Sequence, residues 1–158
     1  MSMEITKNKI PLAAIYRPLN NFFINPLMEY LRKKYVCKNQ IKKGINGVRE
    51  SIECIKKGQS IALMIDQRVS EGIKVDFFGK PALTTSLPAQ LSIKFNLSII
   101  PVFIERTSNY NYKIKFFNQI RSNEFNDKEE LTKKLNQILE SMILKNPNEW
   151  IWTHNRWK

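Results

Sequence analysis

The chain has 158 residues and 42% apolar content, which suits one domain with a single core. Twenty-six Lys and Arg against fourteen Asp and Glu give a net charge of +12, a balance that favours polyanions: nucleic acid, anionic lipid headgroups or phosphorylated substrates. The joint richness in Lys, Ile and Asn fits a genome-wide codon bias equally well, so charge alone selects none of these partners.

A single histidine, His154, and two cysteines, Cys37 and Cys54, in no ligand spacing argue against a metal site and point to reduced thiols in two helical stretches. The first seven residues lack the apolar core of a secretory signal. The longest apolar run, residues 97–104, is broken by Pro101 and is too short to cross a bilayer, so any membrane contact is expected to be peripheral.

In chain order, residues 10–16 form an apolar run that reads as a buried strand, closed by a turn at Arg17-Pro18. Asn25-Pro26 starts a helix carrying Leu27, Tyr30 and Leu31. A second helix runs from Ile45 through Val48, Ile52 and Ile55 to Gly58, and residues 60–66 read as a fully buried strand. A loop with Gly72 and Gly79 carries a short strand at residues 75–78, and Thr84 or Thr85 is placed to cap a helix reaching about Phe95. Residues 98–106 and 110–117 suit a hairpin. Asp127 caps a long helix with Leu131, Leu135, Ile138, Leu139 and Met142 on one face; Pro147 ends it, and a Trp-rich tail follows.

Strands alternating with helices predict an α/β fold with a mostly parallel central sheet covered by helices on both faces, as one domain over residues 1–158. Ligands in such folds gather at the carboxyl ends of parallel strands. The polar groups expected there are Arg17, then Asp66-Gln67-Arg68, then Glu105-Arg106.

Several segments together resemble the lipid A late acyltransferases, the lauroyl and myristoyl transferases of lipopolysaccharide assembly. They are Tyr16-Arg17-Pro18-Leu19-Asn20-Asn21, Gly44-Ile45, Leu63-Met64-Ile65-Asp66-Gln67, and Val75-Asp76-Phe77-Phe78-Gly79-Lys80-Pro81-Ala82 with Thr84-Thr85. Pro88-Ala89, Ile100-Pro101-Val102-Phe103 and the tail Asn146-Pro147-Asn148-Glu149-Trp150-Ile151-Trp152, with His154, Arg156, Trp157 and Lys158, complete the set. The Phe-Phe-Gly-Lys-Pro-Ala loop and the tail are the most specific parts.

The resemblance implies a glycerolipid-acyltransferase-like domain that is incomplete at its N-terminus. The wider group uses a His-x-x-x-x-Asp/Glu block, in which a carboxylate orients the histidine and the histidine takes the proton of the acceptor hydroxyl. The chain begins just after the place of that block, and His154 has only Lys158 four residues on. The resemblance therefore implies no catalytic dyad in this chain and little transfer by it alone, with His154 structural or solvent-facing.

What carries over is binding. Arg17 takes the place of the second block, which contributes a cation; Asp66, Gln67 and Arg68 take the third, which contacts glycolipid or carrier phosphates. Pro101 takes the fourth, a strand proline shaping the cleft wall. Thr84 and Thr85 either meet a phosphate at a helix N-terminus or simply cap the helix. The implied reaction moves a fatty acyl group from acyl carrier protein to a hydroxyl of a lipid A precursor, with no further cofactor, at the cytoplasmic face of the bacterial inner membrane.

Phe22 and Phe23, beside Lys and Arg, suit an anionic membrane surface, whereas Phe77 suits the core. Two rivals remain at this level. A nucleic-acid module would stack bases on Trp150, Trp152 and Trp157, although the scattered lysines and the lack of a binding motif disfavour nucleic acid as a partner. A non-catalytic lipid-binding remnant is the other.

Overall fold

The computed structural model describes residues 2–108 and 110–157. Contacts divide the chain into two compact units, Met1–Met64 and Ile65–Lys158. Helices and strands are mixed, in agreement with an α/β class.

In the first unit, α1 (Ser2–Lys7) precedes β1 (Leu12–Tyr16), α2 (Asn25–Leu31) continues as a wider π-helical turn through Val36, and β2 (Asn39–Lys42), α3 (Ile45–Lys56) and β3 (Ser60–Ala62) follow. The three strands form a parallel sheet in the order β2-β1-β3. Leu12, Ala13 and Ala14 are buried in succession. Consecutive strand side chains point to opposite faces, so both faces of β1 are covered.

Position 47 of α3 admits only glycine, because a Cβ there would lie 2.0 Å from the Lys42 carbonyl oxygen. Ser51, also fully buried, donates to the Gly47 carbonyl at 2.7 Å and so spends its hydroxyl within the helix. Cys37 is extended backbone rather than helical, is buried, and donates its thiol hydrogen to the Leu12 carbonyl at 2.9 Å; Cys54 does lie in α3.

The strand expected over residues 60–66 stops at Ala62. Beyond it no strand pairs with the backbone and Met64 is 71% exposed, so the apolar run has no sheet to enter. Asp66 consequently sits on a turn in the second unit, not on the tip of a parallel strand.

That second unit begins with the hairpin β4 (Ile73–Phe77) and β5 (Lys80–Thr84), joined by the two-residue turn Phe78-Gly79. Both turn residues have positive φ, 52° and 69°, as a type I′ hairpin turn requires. Phe78 is bulky for that region, which costs about 1–2 kcal/mol; its amide donates to Glu140 Oε1 at 2.7 Å, holding the turn to α5.

Next come α4 (Leu87–Phe95), β6 (Ser98–Ile99), β7 (Val102–Ser108), β8 (Asn111–Phe116), β9 (Ile120–Arg121) and α5 (Lys128–Lys145). β6 pairs with β9 and β7 with β8, both antiparallel. Parallel pairing, expected along most of the chain, is thus observed in three strands, and the other six form two-stranded antiparallel ladders. For two of these three ladders the reason is local: a connection of two residues, as at Phe78-Gly79 and near Tyr110, can only return the chain antiparallel. Glu105-Arg106, expected at a strand exit, instead lies inside β7, where Lys115 on β8 pairs with Glu105 across the ladder.

α5 organises this unit. Asp127 caps it, its Oδ1 accepting from the Glu129 and Glu130 amides at 2.8 Å each. Leu131 and Leu135 pack with Ala89 and Ile120, while Ile143 and Leu139 pack with Phe77, Ala82, Trp150 and Trp157. Phe77 is fully buried, worth roughly 2–3 kcal/mol in apolar burial.

Candidate functional site

Two polar regions are built by these units. On the first, Arg17 follows β1 directly and is exposed. Tyr16, in register with Lys42, belongs to a network centred on Glu29, whose Oε1 accepts from Lys42 Nζ at 3.0 Å and from Asn25 Nδ2 at 2.8 Å. The Lys42 hydrogen bond, then that of Asn25, holds the Glu29 carboxyl below its usual range, and Glu29 raises Lys42 in return. Burial first, then the hydrogen bond to Glu29, raises the Tyr16 phenol. The Arg32 guanidinium lies 4.9 Å from the centre of the Tyr16 ring. Beside this network, Lys42, Lys43, Asn46 and Glu50 border an open recess of about 480 Å³ at the start of α3.

In the second unit the polar centre is Arg156, a residue to which the sequence assigned no role. It is fully buried. Its Nη1 donates to the Leu83 carbonyl, and its Nη2 donates to Thr84 Oγ1 at 2.9 Å and to the Ile65 carbonyl at 3.4 Å. Its guanidinium carbon stands 5.3 Å from the Phe77 ring centre. Burial lowers its pKa and the nearby Asp66 charge opposes that, but an arginine stays protonated throughout. Asn136, also fully buried, donates from Nδ2 to the Asp76 carbonyl at 2.9 Å and to Thr84 Oγ1 at 3.1 Å.

Thr84 is therefore neither a helix cap nor an open phosphate ligand. It ends β5 with its hydroxyl enclosed by Arg156 and Asn136, while the residue preceding α4 is Ser86. Thr85 is half-buried and accepts from the Leu87 amide at 3.4 Å, a contact at the start of α4. Pro101 is half-buried between β6 and β7, and its carbonyl accepts from the Phe117 amide at 3.0 Å.

Asp66, Gln67 and Arg68 form the turn that leads from Ile65 toward β4. Among the described residues, Asp66 Oδ1 is buried with no hydrogen-bond partner, whereas Gln67 and Arg68 are exposed. The following backbone is fastened to β5: the Val69 amide donates to the Leu83 carbonyl at 3.3 Å, and Gly72 approaches Thr84 so closely that a Cβ would stand 2.4 Å from its carbonyl oxygen.

Arg68 then borders an open recess of about 390 Å³ with Lys74, Pro81, Leu83 and Trp157. Two cations beside an indole and aliphatic walls, with no carboxylate among the described lining residues, suit an anionic group carried on an apolar body. Asp66, Arg68 and Thr84 are thus brought into one neighbourhood, Pro101 lies in the link between β6 and β7, and Arg17 lies in the other unit. Lys74, Trp157 and Arg156 were missed, although Arg156 and Trp157 stand in the tail that sequence reading singled out.

The tail closes over the hairpin. Trp150 and Trp157 ring centres lie 5.8 and 5.6 Å from that of Phe77, and Trp157 Nε1 donates to the Phe77 carbonyl at 2.9 Å. These two rings are spent on packing. His154 is exposed, and its Nε2 accepts from the Arg68 amide at 3.1 Å. Lys158 lies outside the described residues. Phe22 and Phe23 are 83% and 89% exposed, edge to face at 6.0 Å. Among the described residues no helix is long and apolar enough to cross a membrane.

A family model of the bacterial lipid A biosynthesis acyltransferases matches residues 1–158. The chain is 26% identical over 152 residues to the lipid A biosynthesis palmitoleoyltransferase of Escherichia coli (strain K12), covering 94% of this chain and 48% of that protein. Identity and coverage are the same for the lipid A biosynthesis acyltransferase of Shigella flexneri. The chain spans about half the length of these curated relatives. By the match over its full length, the chain belongs to the bacterial lipid A biosynthesis acyltransferase family.

Proposed function

We propose that this chain is the acceptor-binding part of an enzyme that moves a fatty acyl group from acyl carrier protein to a hydroxyl of a phosphorylated lipid A precursor. The family match over residues 1–158 carries the reading. The recess bordered by Arg68, Lys74 and Trp157 supports it, because it offers paired cations to a phosphate and apolar walls to the attached body.

The general base comes from outside these residues in this reading. His154, the one histidine of the chain, spends its Nε2 lone pair on a backbone amide, and no carboxylate orients its ring among the described residues. In the whole protein the three-stranded sheet extends into a mostly parallel central sheet, and Arg17 supplies a cation at its carboxyl edge. The exposed Phe22-Phe23 pair rests on the anionic headgroups of the cytoplasmic face of the inner membrane, as a peripheral contact.

The test is equilibrium binding of a labelled diphosphorylated lipid A precursor, in neutral detergent micelles, to the purified chain, with acyl transfer from acyl carrier protein followed in parallel. Saturable binding without turnover is expected, since losing a general base costs about 10²–10⁴ in rate. Equal binding of an uncharged glycolipid of the same chain length would refute the acceptor role. Turnover at the rate of an intact family member would refute the external base.

A further inference from the structure

We propose that the C-terminal tail is the positioning element of the Asp66–Arg68 turn, with His154 and Arg156 as the positioning residues that hold its two ends. The turn needs such support because its backbone belongs to no strand ladder. At its leading end, the Ile65 carbonyl accepts from Arg156 Nη2 at 3.4 Å. At its trailing end, the Arg68 amide donates to His154 Nε2 at 3.1 Å. Two side chains two residues apart in the tail therefore bracket a three-residue turn some ninety positions earlier in the chain.

The tail is firm enough to act as the reference. Arg156 is fully buried and also holds Thr84 Oγ1 and the Leu83 carbonyl, and the neighbouring Trp157 is pinned through its Nε1 to the Phe77 carbonyl. Holding the Arg68 backbone restricts where its side chain emerges at the recess it borders with Lys74 and Trp157. A pre-set cation loses less conformational freedom when an anion arrives.

His154 is exposed, and its ring's one hydrogen bond among the described residues goes to the turn, so its contribution is local. The nature of the ligand rests on the acyltransferase reading above; the holding of the turn does not.

The experiment uses the full 158-residue chain. Amide hydrogen exchange and a titration with inorganic phosphate are followed by NMR at the Arg68 amide and the Trp157 indole, in the parent, His154→Ala and His154→Gln. His154→Ala is expected to melt within about 2 °C of the parent, as surface substitutions do. It should exchange the Arg68 amide about three- to tenfold faster, the loss of one hydrogen bond, and weaken phosphate binding about threefold or more.

His154→Gln supplies a carbonyl acceptor and should restore both readings. Unchanged Arg68 exchange in His154→Ala would overturn the proposal. So would acceleration spread evenly over residues 65–157, which would mean general destabilisation. If phosphate shifts neither probe in the parent, the phosphorylated-acceptor reading fails, and the exchange comparison still decides the positioning role by itself.

Discussion

The two units use the same residue types to opposite ends. On the first, Glu29, Lys42 and Tyr16 form a charged network at the sheet edge, where water screens it. On the second, Arg156 is enclosed completely, and its two terminal nitrogens donate to carbonyls and a hydroxyl rather than to a carboxylate. Exposed charge near a candidate site tunes encounter with a ligand, whereas enclosed charge dictates where the surrounding backbone must lie. The hard constraint of the first unit is steric instead: the approach of α3 to β2 at Gly47.

Arg156→Ala should produce the largest effect. It leaves the Ile65 carbonyl and Thr84 hydroxyl without their cation and opens a void beside Phe77, so a loss of about 3–5 kcal/mol is expected by urea unfolding. A loss below about 1 kcal/mol would mean that the contrast between the units is misplaced. Gly47→Ala comes next: the added methyl must push α3 from the Lys42 carbonyl, for about 1–3 kcal/mol of destabilisation on the same measurement. Asp127→Ala removes the two amide contacts that start α5 and should cost about 1 kcal/mol, with Asp127→Asn largely retaining the cap.

Glu29→Gln should do least, lowering the melting temperature by about 1–2 °C at neutral pH and low salt. The sign of its pH dependence is nevertheless set. A carboxyl lowered in the folded state stabilises above its unfolded pKa, near 4.3, and that contribution disappears as pH falls through the lower folded value. Lys42, raised, contributes below its unfolded value and loses that contribution as pH rises through the higher folded one. Melting curves of parent and Glu29→Gln should therefore converge in acid; divergence there would contradict the pairing.

Much of the architecture was legible in local sequence. Asn25-Pro26, Asp127 and Pro147 marked helix boundaries through capping and proline geometry, and the alternation of residues 110–117 after the run at 98–106 marked a hairpin. Residues 60–66 misled because an apolar run looks the same whether or not a partner strand exists. Thr84 misled for a related reason: proximity to a helix start suggests a cap, and only tertiary structure shows its hydroxyl turned toward Arg156 and Asn136. The role of Arg156 was invisible because its partners lie about ninety and seventy residues away, and two of the three are carbonyls, which carry no side-chain signature.

The most direct test of the acceptor-binding claim compares the diphosphorylated lipid A precursor with its dephosphorylated counterpart, bound to the parent and to Arg68→Ala/Lys74→Ala. The parent should prefer the phosphorylated form by about tenfold or more, the scale of one or two charge-assisted hydrogen bonds, and the double variant should lose that preference while keeping its melting temperature. Equal affinity of the parent for both glycolipids, or an undiminished preference in the double variant, would contradict the account.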